Sequence, residues 1–202
     1  MKVLPTTPAP QVATPSYVDF GATLTPSLGG SEQRINRLGN RFRLSVTMPP
    51  MQNKEAGRVF IARLIRGHSE GLRMNFPLGG FNPGTEAEIG SPVVSGSSQS
   101  GRLLNLRGFT PGYTVKEGQF FSILTGTPEG HFLYQADEEV TANFTGAIQL
   151  TINPLLRVSP DDGDICFFHK PKIEGLVEGS DWQWDYALDY NVGIEFVIKE
   201  RR

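Results

Sequence analysis

Cysteine, long apolar runs and a dominant charge are all scarce in this 202-residue chain, and each scarcity excludes something. With Cys166 alone, no intrachain disulfide can form and no cysteine-based zinc site can be assembled. Stability must therefore come from packing or from other subunits. No stretch approaches the roughly 18–20 apolar residues that a membrane-spanning helix needs. Residues 1–10 lack the apolar core of a secretory signal, so the expectation is a soluble chain made inside a cell. The net charge is only −2, and the basic residues form no dense run, which speaks against a dedicated nucleic-acid binder.

Chemistry-bearing motifs are equally sparse. His68, His131 and His169 are widely spaced and fall in no zinc-binding pattern. No Gly-x-Ser-x-Gly elbow or phosphate loop is present. Cys166 lies in the apolar run Ile165-Cys166-Phe167-Phe168, where a buried, inert thiol is expected rather than a nucleophile. The turn Asp161-Asp162-Gly163-Asp164 offers oxygens to a hard cation such as calcium, but no bidentate Glu follows, and Asp with Gly is also what a hairpin turn requires. The turn reading is preferred. Asp137-Glu138-Glu139 reads as a solvated loop rather than an acid/base pair. These residues point to no catalytic site, cofactor or metal, and to a non-enzymatic protein.

What the chain does have is punctuation. Its 23 Gly and 15 Pro follow no fixed period, the pattern of many turns between short strands. Residues 1–16, rich in Pro, Thr and Ala, read as an arm or an extended edge. Strands are expected over 17–24 and 41–48; in the second, Phe42, Leu44, Val46 and Met48 alternate with polar residues. Asn53 can cap a helix running to about residue 66, with Gly67 as its terminator and Ala56, Phe60 and Leu64 as its apolar stripe. Gly57 within it costs roughly 1 kcal/mol in helix propensity, so packing must hold it.

Residues 77–101, rich in Gly, Pro and Ser, read as a crossing loop between modules. Five short strands are expected over 102–170, the content of a small barrel or sandwich. Residues 171–202 read as strands returning to the sheet begun by 17–76, which makes 102–170 an insertion. The fold expected is mainly β with one helix: a split sheet carrying a packed helix, plus an inserted small β-barrel or sandwich module.

Charge is unevenly placed. Residues 1–75 carry ten Lys/Arg and four Asp/Glu, whereas 76–202 carry nine and seventeen. Opposed halves suit contacts between copies of one chain. The candidate contact residues are Arg34, Arg37, Arg41 and Arg43, then Arg58, Arg63 and Arg66 on the helix, and Trp182 and Trp184. The two tryptophans lie two apart in an expected strand, on one face with Tyr186. Such a row serves as core, as subunit contact, or as a platform for stacking sugars.

Four stretches carry a resemblance. They are Val18-Asp19-Phe20-Gly21 with Arg34-Ile35-Asn36-Arg37-Leu38-Gly39; the helix ending Arg66-Gly67; Thr110-Pro111-Gly112-Tyr113 with Glu117-Gly118-Gln119-Phe120; and Asn153-Pro154-Leu155-Leu156-Arg157 leading to Asp162-Gly163-Asp164. Together they resemble the distal tail (Dit-like) and minor tail proteins of long-tailed, siphovirus-type bacteriophages and prophages. The resemblance implies a tail-tube-like belt domain that assembles as a ring, hexameric in that family, with an outward β module that is OB-like in some members. It implies a virion structural protein at the tail tip whose partners are its own copies, the tail tube and the baseplate hub or fibres. DNA would pass through the lumen without specific binding. The belt would be 17–76 with 171–202, and the decoration 102–170. A host-carbohydrate-binding module of a phage tail is the competing expectation.

Overall fold

Alternation builds the first sheet. In strand β5 (Arg41–Thr47), Phe42, Leu44 and Val46 are buried while Arg43 and Ser45 face solvent. The structure, a computed structural model, describes residues 1–126, 128–179, 183–187 and 190–201. It is mainly β with a nearly closed barrel-like sheet. The first part of the chain contributes β1 (Lys2–Val3), β2 (Val12–Val18), β3 (Ala22–Leu24), β4 (Gln33–Ile35), β5, β6 (Met51–Gln52), helix α1 (Glu55–Glu70) and β7 (Leu72–Asn75). The middle contributes α2 (Glu86–Ile89), β8 (Gly90–Val94), β9 (Leu103–Phe109), β10 (Thr114–Val115), β11 (Phe120–Thr125), β12 (Gly130–Ala136), β13 (Val140–Thr141), β14 (Ile148–Asn153) and β15 (Cys166–Phe167). The chain then returns through β16 (Lys172–Glu178), β17 (Asp185–Ala187), β18 (Tyr190–Val192) and β19 (Glu195–Glu200).

Six strands form the belt sheet in the order β1-β7-β16-β19-β5-β2. The last segment does rejoin the first: β16 and β19 occupy the middle of the sheet, and Asn75 is the register partner of Lys172, so the chain leaves and re-enters at adjacent points. Of the two readings of the Pro-rich segment, arm or extended edge, the edge is the one that forms. The segment supplies both outer strands, β1 parallel to β7 and β2 antiparallel to β5. An edge is where a strand tolerates Pro15, which has no N–H to donate.

Helix α1 covers the apolar face of this sheet through Phe60 and Leu64, which join Leu44, Val46, Leu72 and Ile198 in one core. Its ends differ from the expectation over 53–66. The cap is Lys54, without a side-chain hydrogen bond, and the helix runs on to Gly71. Gly67 is no terminator: a Cβ there would come within 2.5 Å of Leu72 Cδ1, so its smallness serves close packing on β7. Gly57 is explained the same way, since a Cβ would meet the Gln52 carbonyl oxygen at 2.5 Å.

The inserted module is a barrel with strand order β15-β11-β12-β14-β9-β8. A bridge between Val93 and Ile165 brings its two ends together. Leu104, Leu106, Phe121, Ile123, Tyr134 and Leu150 fill it, with Phe121 and Phe168 stacked 4.5 Å apart. The barrel begins earlier than residue 102. The expected crossing loop contains α2, closed by a reciprocal Thr85–Glu88 capping box, and β8, the strand that meets β15. Gly90 and Pro92 disguise β8 as a loop in the sequence, and both are accommodated by a register shift between Gly90 and Val93.

Candidate functional site

The barrel meets the belt at the end of the sheet where the insertion leaves it, and this joint concentrates the buried charge. Glu200, at the end of β19, is buried, and its carboxylate accepts the Leu133 N–H at 2.8 Å and the Phe42 N–H at 2.7 Å. Arg157, from the loop after β14, lies 2.6 Å from Glu200 Oε1; the two side chains are 2% and 1% exposed. The Arg157 guanidinium also lies over the rings of Phe132 and Tyr134. Leu133, though on barrel strand β12, belongs to the belt core, and Phe120 touches both Phe42 and Phe76. This ion pair, the Leu133 N–H bond to Glu200 and a few apolar side chains form one part of the link between the two modules.

Beside it sits a second polar group. Glu174, fully buried on β16, pairs with Arg73 at 2.5 Å and Arg201 at 3.6 Å and accepts the His131 N–H at 3.4 Å. Ser122 Oγ lies 3.3 Å from His131 Nδ1 and accepts the Lys172 N–H. Burial, reinforced by the neighbouring cations Arg73, Lys172 and Arg201, pushes His131 down to about 3 and keeps the imidazole neutral. Serine, histidine and glutamate are near one another, yet this is not the geometry of nucleophilic catalysis. Glu174 binds the backbone of His131 rather than its ring, and both Ser122 and His131 are sealed from solvent. The group holds β11, β12 and β16 together.

The other motifs resolve plainly. Cys166 is buried in the barrel, and burial followed by the Asp164 charge pushes its thiol up. In the acidic turn, Asp162 pairs with Arg107 at 2.5 Å and accepts the Gly96 N–H, which hold its carboxyl down at about 2, while Asp164 accepts the Asp161 N–H. These carboxylates are engaged in closing a turn, and among the described residues no cluster of His, Cys, Asp or Glu could hold a metal.

The expected contact residues are dispersed. Arg34 pairs with Asp19, and Arg43 reaches Glu178 at 2.8 Å across the polar face of the belt sheet. Arg41 donates to the Gly39 and Glu200 carbonyls. Arg63 donates to the Val3 carbonyl and Arg66 pairs with Glu70, whereas Arg37 and Arg58 are exposed. The proposed ion pairs from Arg34 and Arg43 to a neighbour's acidic edge therefore meet competition inside the chain. Trp184 packs partly buried against the belt core and meets Tyr186 edge-on at 6.5 Å. Trp182 lies outside the described residues.

Exposed apolar groups gather elsewhere. Phe20, Leu24, Leu28, Ile35 and Leu38 all lie on the β3–β4 hairpin or its stems, and Leu28 is 97% exposed. On the barrel, Phe144 is 89% exposed at a turn fixed by three hydrogen bonds to Asn143 Oδ1. Sequence reading missed both the joint and the hairpin. Arg157 stood within the motif Asn153–Arg157, but nothing marked Glu200 as its partner; the spread of apolar residues over 20–38 was readable.

The chain matches no protein-family model and no curated protein sequence.

Proposed function

We propose that the chain is a distal tail protein of a long-tailed phage or prophage. Its copies close into a ring at the tail tip, hexameric in the family the sequence resembles, joining the tail tube to the baseplate or receptor-binding apparatus and leaving a channel for DNA. The observation that carries this reading is the split belt: a sheet with a packed helix, interrupted between the paired strands β7 and β16 by a complete barrel. That is the belt-plus-decoration plan of distal tail proteins. The buried joint supports it, since Arg157 and Glu200 fix the barrel on the belt as an outward decoration would need. The motif Asn153–Arg157 that contributes to the resemblance supplies one half of that ion pair.

In this reading the ring interface is heterologous, one surface of each copy meeting a different surface of the next, with closure setting the number. Negative-stain images of the purified protein test it: rings with a central channel support it, and single small particles at every concentration overturn it.

A second reading, a host-carbohydrate-binding module, draws on Phe144, an aromatic ring presented by a hydrogen-bonded turn, and on Trp184. Glycan-array binding abolished by Phe144→Ala or Trp184→Ala, with folding retained, would favour it over a purely structural role.

A further inference from the structure

The β3–β4 hairpin is built as though something else completes it. Its ladder has three register pairs, Ala22–Ile35, Thr23–Arg34 and Leu24–Gln33, and none of residues 19–38 is buried. A two-stranded ribbon is marginal in water by itself, and this one also presents Phe20, Leu24, Leu28, Ile35 and Leu38 to solvent. Single exposed apolar residues need no explanation, but five within one projecting element do.

The root of the hairpin, by contrast, is fixed. Asn40 is buried, accepts the Phe20 N–H at 2.7 Å and donates to the Tyr17 hydroxyl at 3.0 Å. The Arg41 guanidinium covers the Phe20 ring at 5.0 Å, and Arg34 ties Asp19 to the far limb. A rooted ribbon with an apolar tip is the form of an insertion element.

The same chain carries an apolar receptor at its other end. Two adjoining clefts of about 160 and 670 Å³ share Pro5 and Pro8 of the N-terminal segment. Met48, Phe60 and Phe76 line one; Met51, Ala56 and Val59 line the other. The smaller cleft reaches back to Phe76 near the joint, but the hairpin departs at Arg41, where β5 begins, and the larger cleft, walled by Pro50 and Met51, opens past Thr47, where it ends. Seven residues of strand separate them by about 20 Å. With Leu28 97% exposed, the belt has an apolar projection at one end and an apolar receptor at the other. A head-to-tail contact between copies needs that pair of unlike surfaces.

We propose that the hairpin of each copy inserts Leu24 and Leu28 into the apolar groove between the N-terminal segment and the start of α1 of the next copy. This rests on the reading that the protein assembles with itself, and it names the contact that links the copies.

The test uses the full chain. Leu28→Asp raises the concentration for half-assembly, followed by mass photometry, by tenfold or more, while the thermal unfolding of the unassembled chain stays unchanged because a side chain 97% exposed has almost no packing to lose. Independently, chains carrying Leu28→Cys are mixed with chains carrying Ala56→Cys and oxidised. Covalent pairs form across the two, and a mixture of Leu28→Cys with Phe144→Cys, on the barrel, forms far fewer.

Rings that form as readily with Leu28→Asp, or cross-links no more frequent to Ala56→Cys than to Phe144→Cys, overturn the insertion while leaving the ring standing. A closed two-fold dimer with the Leu28→Cys to Ala56→Cys link upholds the insertion and overturns the ring. A wild-type chain that stays monomeric overturns both.

Discussion

Removing the Arg157 side chain should cost far more than its single ion pair suggests. Arg157 and Glu200 are almost wholly enclosed at the joint, so Arg157→Ala leaves a buried carboxylate without its counter-ion. Breaking such a pair from one side costs about 3–5 kcal/mol. Glu200 retains the N–H groups of Leu133 and Phe42, which places the expectation near the lower end, about 3 kcal/mol. That is a large share of the ~5–15 kcal/mol that holds a typical domain folded.

The comparison is Arg43→Ala, which removes a pair whose partners are 45% and 33% exposed and should cost about 1 kcal/mol or less. Adding Glu200→Gln to Arg157→Ala removes the stranded charge while keeping an oxygen for one of the two backbone donors, so part of the loss should return. Urea unfolding followed by far-UV circular dichroism measures all four proteins. Tryptophan fluorescence reports only the belt, because both tryptophans lie in its return segment. If the joint couples the modules, the two probes coincide in the wild type and separate in Arg157→Ala. A loss in Arg157→Ala no larger than in Arg43→Ala, with the probes still coincident, would refute the argument.

Three further outcomes follow from the packing. Gly57→Ala improves helix propensity by roughly 1 kcal/mol, but its Cβ would collide with the Gln52 carbonyl and the Asn191 side chain; a net loss of about 1–3 kcal/mol is expected in the same urea assay. His131 is held neutral when folded and charges near pH 6.5 when unfolded, so its contribution is complete above pH 6.5 and is lost as pH falls toward about 3. Over that window the wild type should lose about 1.4 kcal/mol per pH unit more than His131→Gln, read as the difference between their urea midpoints against pH. Cys166, buried and with its thiol pushed up, should resist a thiol-labelling reagent in the native protein and react fully in urea, with fast native labelling as the contrary result.

Legibility in the sequence followed the range of the interactions. Short-range patterns carried well: the alternation at 42, 44 and 46 marked β5, and the stripe at Phe60 and Leu64 marked α1 and its buried face. The split sheet was also readable, because residues 102–170 contain turn-separated strands that can satisfy one another. Patterns carried poorly where a residue answers to something distant. Gly67 looks like a helix stop along the chain, and only the proximity of Leu72 shows it to be a packing position. Strand β8 was hidden because Gly90 and Pro92 signal a loop, whereas their neighbours across the sheet allow a bulged strand.

The joint was the least legible feature. Glu174, Arg157 and Glu200 look like ordinary surface charges until residues far apart in sequence enclose them. The arginines first marked as interface residues illustrate the converse. Their clustering near residues 34–43 is real, but Arg34 and Arg43 already have internal partners in Asp19 and Glu178. The proposed contact between copies rests instead on the apolar residues of the hairpin that carries Arg34.

Self-assembly is tested most directly by the mass of the purified full chain over a wide concentration range. Mass photometry combined with negative-stain imaging should give one closed species whose mass stops rising with concentration and whose images show a ring around a channel. A single monomeric mass across the whole range, with no ring in any image, would contradict it.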